Sequence, residues 1–492
     1  MPKWRNGRRG GFKIRWACAR EGSNPSFGTL FPGRFRSRSA HRIGDGQRRA
    51  ARWRLAARWR LAAALATTLA FFFVASAEAT PPVAGAAGGP ATADDSLKSN
   101  AVHAGQPPRS SVHVDSELRL RAQLGRGLGA SLVGVGDQQR GVLHRIRLGA
   151  NFASGNVDAR VELQSSGAFG SAGPGDDPMQ VGLQQGWMRW RPEQWTFLAV
   201  EAGRMALHYG AGRQIGSFDF HQTGHAYDGI RLRATVDKAL VVDVLSVRLR
   251  RDIAQPDRQR VLYGVLATAR PTGSLLGDIY LLVLDDGTPD GRQRLQTMGL
   301  RLDWRPFGVV EAEIESAVQI GNRIGGASGE SDRFATMVVA RLGAFGTAGI
   351  PFGGGVGFDR YSGDDDMTDG VDRAWRPLYG DLDVIVGLLQ RFSPSNLRTA
   401  LAWLEAGPRD GLHARVDIRL IEQLRAASTA ETTSSGWQAA GAEIDGKAQY
   451  APWPGQSLSI GAGVFVPTAS PVTGKRAGPV GLLTFTQWRG RF

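Results

Sequence analysis

A two-residue period dominates this chain from about residue 112 to its last segment. Leu118, Leu120, Ala122 and Leu124 alternate with Glu117, Arg119, Arg121 and Gln123. Ile146, Leu148, Ala150 and Phe152 alternate with Arg145, Arg147 and Asn151, and Val157, Ala159, Val161 and Leu163 with Asp158, Arg160, Glu162 and Gln164. Successive side chains of an extended strand point to opposite faces, so each stretch reads as a strand with one apolar and one polar side. The register returns in Met298–Trp304, Val310–Gln319, Leu412–Leu420 and Glu443–Tyr450, and Glu311, Glu313 and Glu315 share one face.

Two architectures produce such strands, a soluble sandwich and a closed membrane barrel. The connections decide between them. Arg191-Pro192-Glu193-Gln194, Arg305-Pro306-Phe307-Gly308 and Ala451-Pro452-Trp453-Pro454 are short. Residues 125–141, 165–181, 204–228, 320–332, 360–379 and 467–480 form long ones. Short turns at one end and long loops at the other are the asymmetry of a bacterial outer-membrane barrel. Trp190, Trp195, Trp304, Phe307 and Trp453 gather beside the short turns, where an interfacial aromatic girdle belongs. No run of 18 apolar residues follows residue 80, so no transmembrane helix is expected there.

The reading is therefore an all-β fold, a single transmembrane antiparallel barrel over residues 112–492. Strand starts fall near residues 116, 142, 157, 182, 195, 229, 239, 260, 277, 295, 309, 333, 349, 380, 395, 412, 440, 457 and 481. An even number is required when both ends lie in the periplasm, so one of these nineteen is surplus, expected between residues 333 and 425. Eighteen strands are expected, with sixteen as the alternative, and either leaves a lumen wider than side chains alone would fill.

Net charge of +15 would ordinarily suggest nucleic acid, but its distribution argues otherwise. Residues 1–77 hold 17 Lys/Arg and 2 Asp/Glu, which leaves 43 of each sign in the remainder. No nucleic-acid partner is expected for a neutral body. Cys18 is the sole cysteine, so the body can have neither disulfide, thiolate metal site nor cysteine nucleophile.

Residues 48–79 read as a signal peptide. Arg48 to Arg60 supply the basic region, Leu61 to Val74 the apolar core, and Ala75-Ser76-Ala77 and Ala77-Glu78-Ala79 two cleavage sites. Residues 1–47 read as disordered or as a mis-assigned start: Gly22-Ser23-Asn24-Pro25-Ser26 resembles translated transfer-RNA sequence, which places the expected start near residues 45–55. Residues 80–111, rich in Ala, Gly, Pro and Ser, read as a flexible periplasmic linker.

Two segments are more specific. The first is Ala202-Gly203-Arg204 with Tyr209-Gly210-Ala211-Gly212-Arg213, followed by Tyr227-Asp228-Gly229. The second is Tyr361-Ser362-Gly363-Asp364, leading through Trp375 to Tyr379-Gly380. With Glu443-Ile444-Asp445 they resemble the alginate-export family of outer-membrane barrels over roughly residues 115–492. The resemblance implies a passive, monomeric, eighteen-stranded channel in the outer membrane of a Gram-negative bacterium, conducting an acidic polysaccharide or small charged solutes through a polar lumen. It implies Arg204, Arg213, Arg231 and Arg233 as substrate-binding candidates, with Arg119 and Arg121 on the polar strand face beside them. Guanidiniums suit this role because they bind carboxylates bidentately and stay charged. His225 stands where the family usually has Arg. Thirteen basic and ten acidic residues on the clearer polar faces give the lumen a nearly even composition. Phe492 resembles the terminal aromatic read by the barrel-assembly machinery, and outer-membrane lipid is the surrounding partner.

No enzyme is expected. His208, Asp219, His221, His225 and Asp228 crowd one loop but lack metal-ligand spacing, and no G-x-S-x-G elbow occurs. No cofactor is expected either; Asp364, Asp365 and Asp366 are the one place where Ca²⁺ could sit, without EF-hand spacing. The competing functional reading is a non-conducting barrel that serves as adhesin or anchor through its outer loops.

Overall fold

The structure, a computed structural model, describes residues 110–129, 138–169, 180–237, 239–249, 259–288, 291–325, 331–346, 352–366, 369–409, 411–425, 436–468 and 479–492. The expected leader and nearly all of the expected linker lie outside the described residues.

Eighteen strands form one sheet. They are β1 (Ser111–Arg126), β2 (Gln138–Ser154), β3 (Val157–Phe169), β4 (Gln180–Trp190), β5 (Leu198–Met205) and β6 (Tyr227–Thr235). Next come β7 (Leu240–Leu249), β8 (Gln259–Thr272), β9 (Leu275–Thr288), β10 (Gly291–Trp304), β11 (Val310–Gly325) and β12 (Ser331–Gly346). The last are β13 (Phe352–Tyr361), β14 (Leu397–Arg409), β15 (Leu412–Arg425), β16 (Gly436–Trp453), β17 (Gln456–Pro467) and β18 (Gly481–Arg491). Each pairs antiparallel with its neighbours, and β1 closes the barrel on β18, from Glu117 opposite Arg491 to Arg126 opposite Leu482. Closure leaves no open edge, as hydrocarbon surroundings demand.

Alternation now has a direction. Leu120, Leu124, Ile146, Leu148, Val161 and Leu163 are exposed, whereas Arg119, Arg121, Gln123, Arg145, Glu162 and Gln164 are buried. Apolar outside and polar inside is the pattern of a barrel in lipid, the reverse of a soluble protein. Trp190, Trp195, Trp304 and Trp453 are exposed at the short-turn end. Phe492 continues β18 with its ring exposed, its backbone exchanging hydrogen bonds with Ser116 at 2.9 and 2.9 Å.

The surplus strand is the one expected at residue 380. Gly380 lies in the long connection from β13 to β14, which holds a two-residue strand, Val371–Asp372, pairing parallel with β12, and a short helix α1 (Leu382–Ile385). The mostly apolar run 382–389 packs partly within the barrel: Ile385, Val386 and Leu389 are buried, whereas Val384 is exposed.

Candidate functional site

Two long connections fold inward, and the residues that turn them are those of the sequence motifs. In the first, residues 206–226, Gly210 and Gly212 adopt positive φ of 56° and 72°, a conformation glycine tolerates without strain. Tyr209 N–H donates to Ile215 O at 3.0 Å and Gly212 N–H to Tyr209 O at 2.9 Å, closing a compact loop that throws Arg213 across the lumen. There Arg213 Nη1 donates to Glu313 Oε1 at 2.6 Å and Glu315 Oε2 at 2.8 Å, while Tyr280 Oη donates to Glu315 Oε1 at 2.8 Å. Burial disfavours the Arg213 charge, but the two glutamates hold its guanidinium well above its ordinary value.

The second connection, residues 362–396, zips onto the first. Gly216 N–H donates to Tyr379 O, Tyr379 N–H to Gln214 O and Asp381 N–H to Gly212 O, each at 2.9 Å. Gly380 is required by this approach, since a β-carbon there would stand 2.2 Å from Arg213 O. Asp381 Oδ1 accepts the Phe218 N–H at 2.6 Å. Ser362 anchors the base of the segment, accepting from Thr336 N–H at 2.8 Å and donating to Arg373 O at 2.7 Å. Between these loops and the wall lies an apolar cluster that includes Met205, Leu207, Ile215, Leu245, Leu282, Met337, Tyr361 and Tyr379. Part of the lumen is thus filled.

What stays open is polar. A cavity of about 230 Å³ is lined by Arg119, Arg121, Lys447 and Arg489, by Asp219, Asp381 and Asp383, and by Phe220, Gln449, Ser457, Ser459 and Gln487. Luminal charge is unevenly placed. Arg119, Arg121, Arg145, Arg147 and Arg489 form a predominantly basic wall on β18, β1 and β2, with Glu117 and Glu162 among them, while Glu313 and Glu315 with Asp278, around Arg301 of β10, form a predominantly acidic wall that faces it from β9 and β11. Loop 206–226 matches both sides. Arg213 enters the acidic wall, and Asp219 sits on the basic one, 2.7 Å from Arg145 and 3.5 Å from Arg147, and paired with Arg489. Partial desolvation would raise the Asp219 carboxyl, yet Arg145, Arg489, Arg119 and Arg147 hold it well below the usual carboxylate range.

The expected binding residues divide accordingly. Arg119 and Arg121 reach the cavity. Arg119 is fully buried and donates to Asp219 O at 2.6 Å, His221 O at 3.0 Å and Gln222 Oε1 at 2.9 Å. Arg121 donates to Gln487 Oε1 at 2.7 Å and Phe220 O at 3.0 Å, and stacks over the Phe220 ring at 4.1 Å. Among the described residues neither has a carboxylate within salt-bridge distance. Arg231 and Arg233 face inward but are bonded to carboxylates, Arg231 to both oxygens of Glu201 at 3.0 Å and Arg233 to both of Asp243 at 2.8 Å. Arg213 is closed in between Glu313 and Glu315. Arg204 departs from expectation most: Arg204 and Asp228 share the strand face of Ile230 and Leu232, which are exposed, so the pair stands on the outward side of the wall. The physical reason is parity, since Gly203 and Glu201, not Arg204, point inward on β5. Lys447 and Asp219 meet on the cavity only because folding brings loop 206–226 to β16, a proximity that alternation does not encode.

The loop histidines find ordinary partners: His208 Nδ1 lies 3.5 Å from Asp381, and His225 Nδ1 3.2 Å from Gly216 O. Asp364 takes part in the loop's own bonding, its N–H donating to Asn396 Oδ1 at 3.1 Å, and Arg373 pairs with Asp369 at 2.5 Å. Among the described residues no three His, Cys, Asp or Glu side chains converge as a metal site.

Asp383 on α1 lines the cavity and makes the docking of this segment pH-dependent. Desolvation and the neighbouring Asp381 push its carboxyl up to about 6, against the opposing pull of Lys447 and Arg121. A carboxyl raised by docking binds its proton more tightly when docked, so docking is favoured below the ordinary carboxylate range and weakens as pH rises through about 6. Amide exchange across residues 381–390, corrected for intrinsic rate, is expected to be slower at pH 5 than at pH 7.5. Asp383→Asn should remove the difference; a difference that survives it would contradict the assignment.

Comparison with known proteins places this geometry. The chain matches the family described as alginate export over residues 112–470. A search of curated proteins returns no match. Similar solved structures include OccK2 (OpdF) of Pseudomonas aeruginosa in complex with glucuronate, at TM-score 0.53 and 13% identity, covering 78% of this chain and 98% of that one. OccAB3 of Acinetobacter baumannii aligns at TM-score 0.53 and 12% identity, covering 77% and 99%. OccAB4 of the same organism aligns at TM-score 0.51 and 11% identity, covering 77% and 98%. These likenesses concern the fold, and the family match is independent of them. With its closed eighteen-stranded wall, lipid-facing apolar exterior and charged lumen, the chain belongs to the alginate-export family of Gram-negative outer-membrane channels.

Proposed function

We propose that this channel for charged solutes passes carboxylate-bearing saccharides, single uronates or a polyuronate chain, and that the basic side of its cavity is where they bind. The observation that carries the reading is the supply of cations around the cavity: Arg119 and Arg121 bond only uncharged acceptors, and Lys447 stands on the same opening. Fixed cations on one side of a narrow, partly desolvated passage favour anions there, even with Asp219, Asp381 and Asp383 also on its lining. Phe220 offers an apolar ring to a sugar face, and Gln449, Ser457, Ser459 and Gln487 offer partners for hydroxyls. Support also comes from the similarly folded OccK2, whose structure holds glucuronate.

Transport in this reading is passive and non-enzymatic, driven by the solute gradient. One chain is the working unit, because β1 and β18 close the barrel, and the exposed Phe492 ring serves assembly. Arg121 and Lys447 are then the residues to change. In planar bilayers the double variant Arg121→Gln, Lys447→Gln is expected to lose anion preference and to bind oligogalacturonate about tenfold more weakly, the scale of one lost charge-assisted hydrogen bond. Selectivity and block that match the unaltered protein would count against the assignment.

A further inference from the structure

The two ends of loop 206–226 are held very differently. Arg213 is closed in, with 6% of its side chain accessible and its partners Glu313 and Glu315 at 13% and 3%. Asp219 leaves 40% of its side chain open to the cavity, although three guanidiniums surround it. Those guanidiniums are themselves well covered, Arg145 completely. A solute in the cavity therefore meets the Asp219 carboxylate as the accessible half of the cluster. Several further ties of the tip are of a kind that a saccharide can replace: Asp219 O and His221 O accept from Arg119 and Arg145, and Phe220 O accepts from Arg121, while Gln222 to His144 O and Gln164 to Thr223 O bind the rest of the tip to the wall. Gly216 and Gly224, the latter at φ 72°, flank the tip.

Without Asp219, the wall carboxylates do not balance this cluster. Glu117 is shared by Arg145 at 2.6 Å, Arg489 at 3.6 Å and Arg491 at 3.5 Å. Glu162 lies 3.9 Å from Arg147 but bonds Arg160 more closely. The tip thus contributes the carboxylate that the wall lacks, in the place where the carboxylate of a uronate would be drawn.

We propose that Asp219 is a built-in counter-ion that sets which anions the channel accepts: it holds the Arg145, Arg147 and Arg489 cluster until a carboxylated saccharide displaces it, while Arg213 keeps the other end of the loop docked. This rests on the proposed binding of such saccharides at the basic wall. Asp219 is a specificity-determining residue because only a ligand that replaces its charge gains the cluster. Neutral sugars of the same size do not, and the occupied state lowers apparent affinity by the fraction of time the cluster is free.

The test uses the protein reconstituted in planar bilayers, with oligogalacturonate as the anionic probe and maltohexaose as the neutral one. Asp219→Asn is expected to tighten oligogalacturonate block about tenfold and to raise anion selectivity, with maltohexaose unchanged; Asp219→Glu should restore the original behaviour. In the unaltered protein, oligogalacturonate should speed amide exchange across residues 217–225, since Phe218 N–H and His225 N–H lose their acceptors. Block by oligogalacturonate that is equal in the unaltered and Asn forms, with exchange unchanged or slowed by the probe, overturns the counter-ion role and leaves saccharide binding standing. An equal rise for both probes in the Asn form shows a merely loosened loop and overturns it too. No block in either form overturns the underlying reading of the channel.

Discussion

Replacing Arg213 by alanine is expected to release the inner loop and raise single-channel conductance several-fold, at a cost of about 3 kcal/mol to the folded barrel. The cost arises because removing one partner of a buried ion pair leaves the other charge stranded. Here Glu313 keeps Arg301, whose Nε donates to it at 2.7 Å, and Glu315 keeps the Tyr280 hydroxyl at 2.8 Å, so the value belongs at the low end of the range for buried pairs. Arg213→Lys retains the charge but not the two-pronged geometry, and should fall between. Urea unfolding in lipid vesicles gives the first number and bilayer recordings the second. A stable variant with unchanged conductance would mean that Arg213 does not hold the loop in the passage.

The other large effect lies on the opposite face of the wall. Leu281 is exposed at the centre of β9, between Val265 of β8 and Met298 of β10. Arginine there must place its charge in hydrocarbon, which costs about 2–4 kcal/mol near the bilayer midplane and falls toward the interfaces. The same substitution at Ser457 meets the polar cavity and should cost little while raising anion selectivity. Equal destabilisation at the two positions would contradict the assignment of outside and inside.

How far the sequence reveals this molecule depends on whether a feature is written in alternation or in contacts. The strands are written in alternation, because lipid outside and water inside impose one polarity per face over hundreds of residues. Eighteen of the nineteen expected strands form, and the exception at residue 380 shows the limit of the method. Val384-Ile385-Val386 is apolar and β-branched, as a strand would be, but Ile385 and Val386 are buried inside the lumen against the loops. Periodicity cannot tell lipid from a filled interior. Parity was also available at Arg204, since the same alternation that places Arg231 inward places Asp228 and its partner Arg204 outward.

Charge shows the second limit. Counting acids and bases on the polar faces gives near balance, yet the fold gathers Arg119, Arg121, Arg145, Arg147 and Arg489 on adjacent strands by closing β18 onto β1. Only closure puts Arg489 opposite Arg119 and Arg145 on its other side. The Tyr-Gly-Ala-Gly-Arg motif did carry legible information: two glycines before an arginine in a long loop specify a tight reversal that projects a cation. Where that cation lands, between Glu313 and Glu315, depends on a face of three glutamates on β11 whose partner only the folded loop supplies.

The central claim is a conducting barrel whose basic wall selects carboxylated saccharides. Its most direct test is the reversal potential of the reconstituted channel in a salt gradient, followed by titration with oligogalacturonate against maltohexaose. Anion-selective openings blocked by the uronate oligomer and not by the neutral one are the expected result. A correctly assembled barrel that conducts nothing, or that passes both sugars without discrimination, would contradict it.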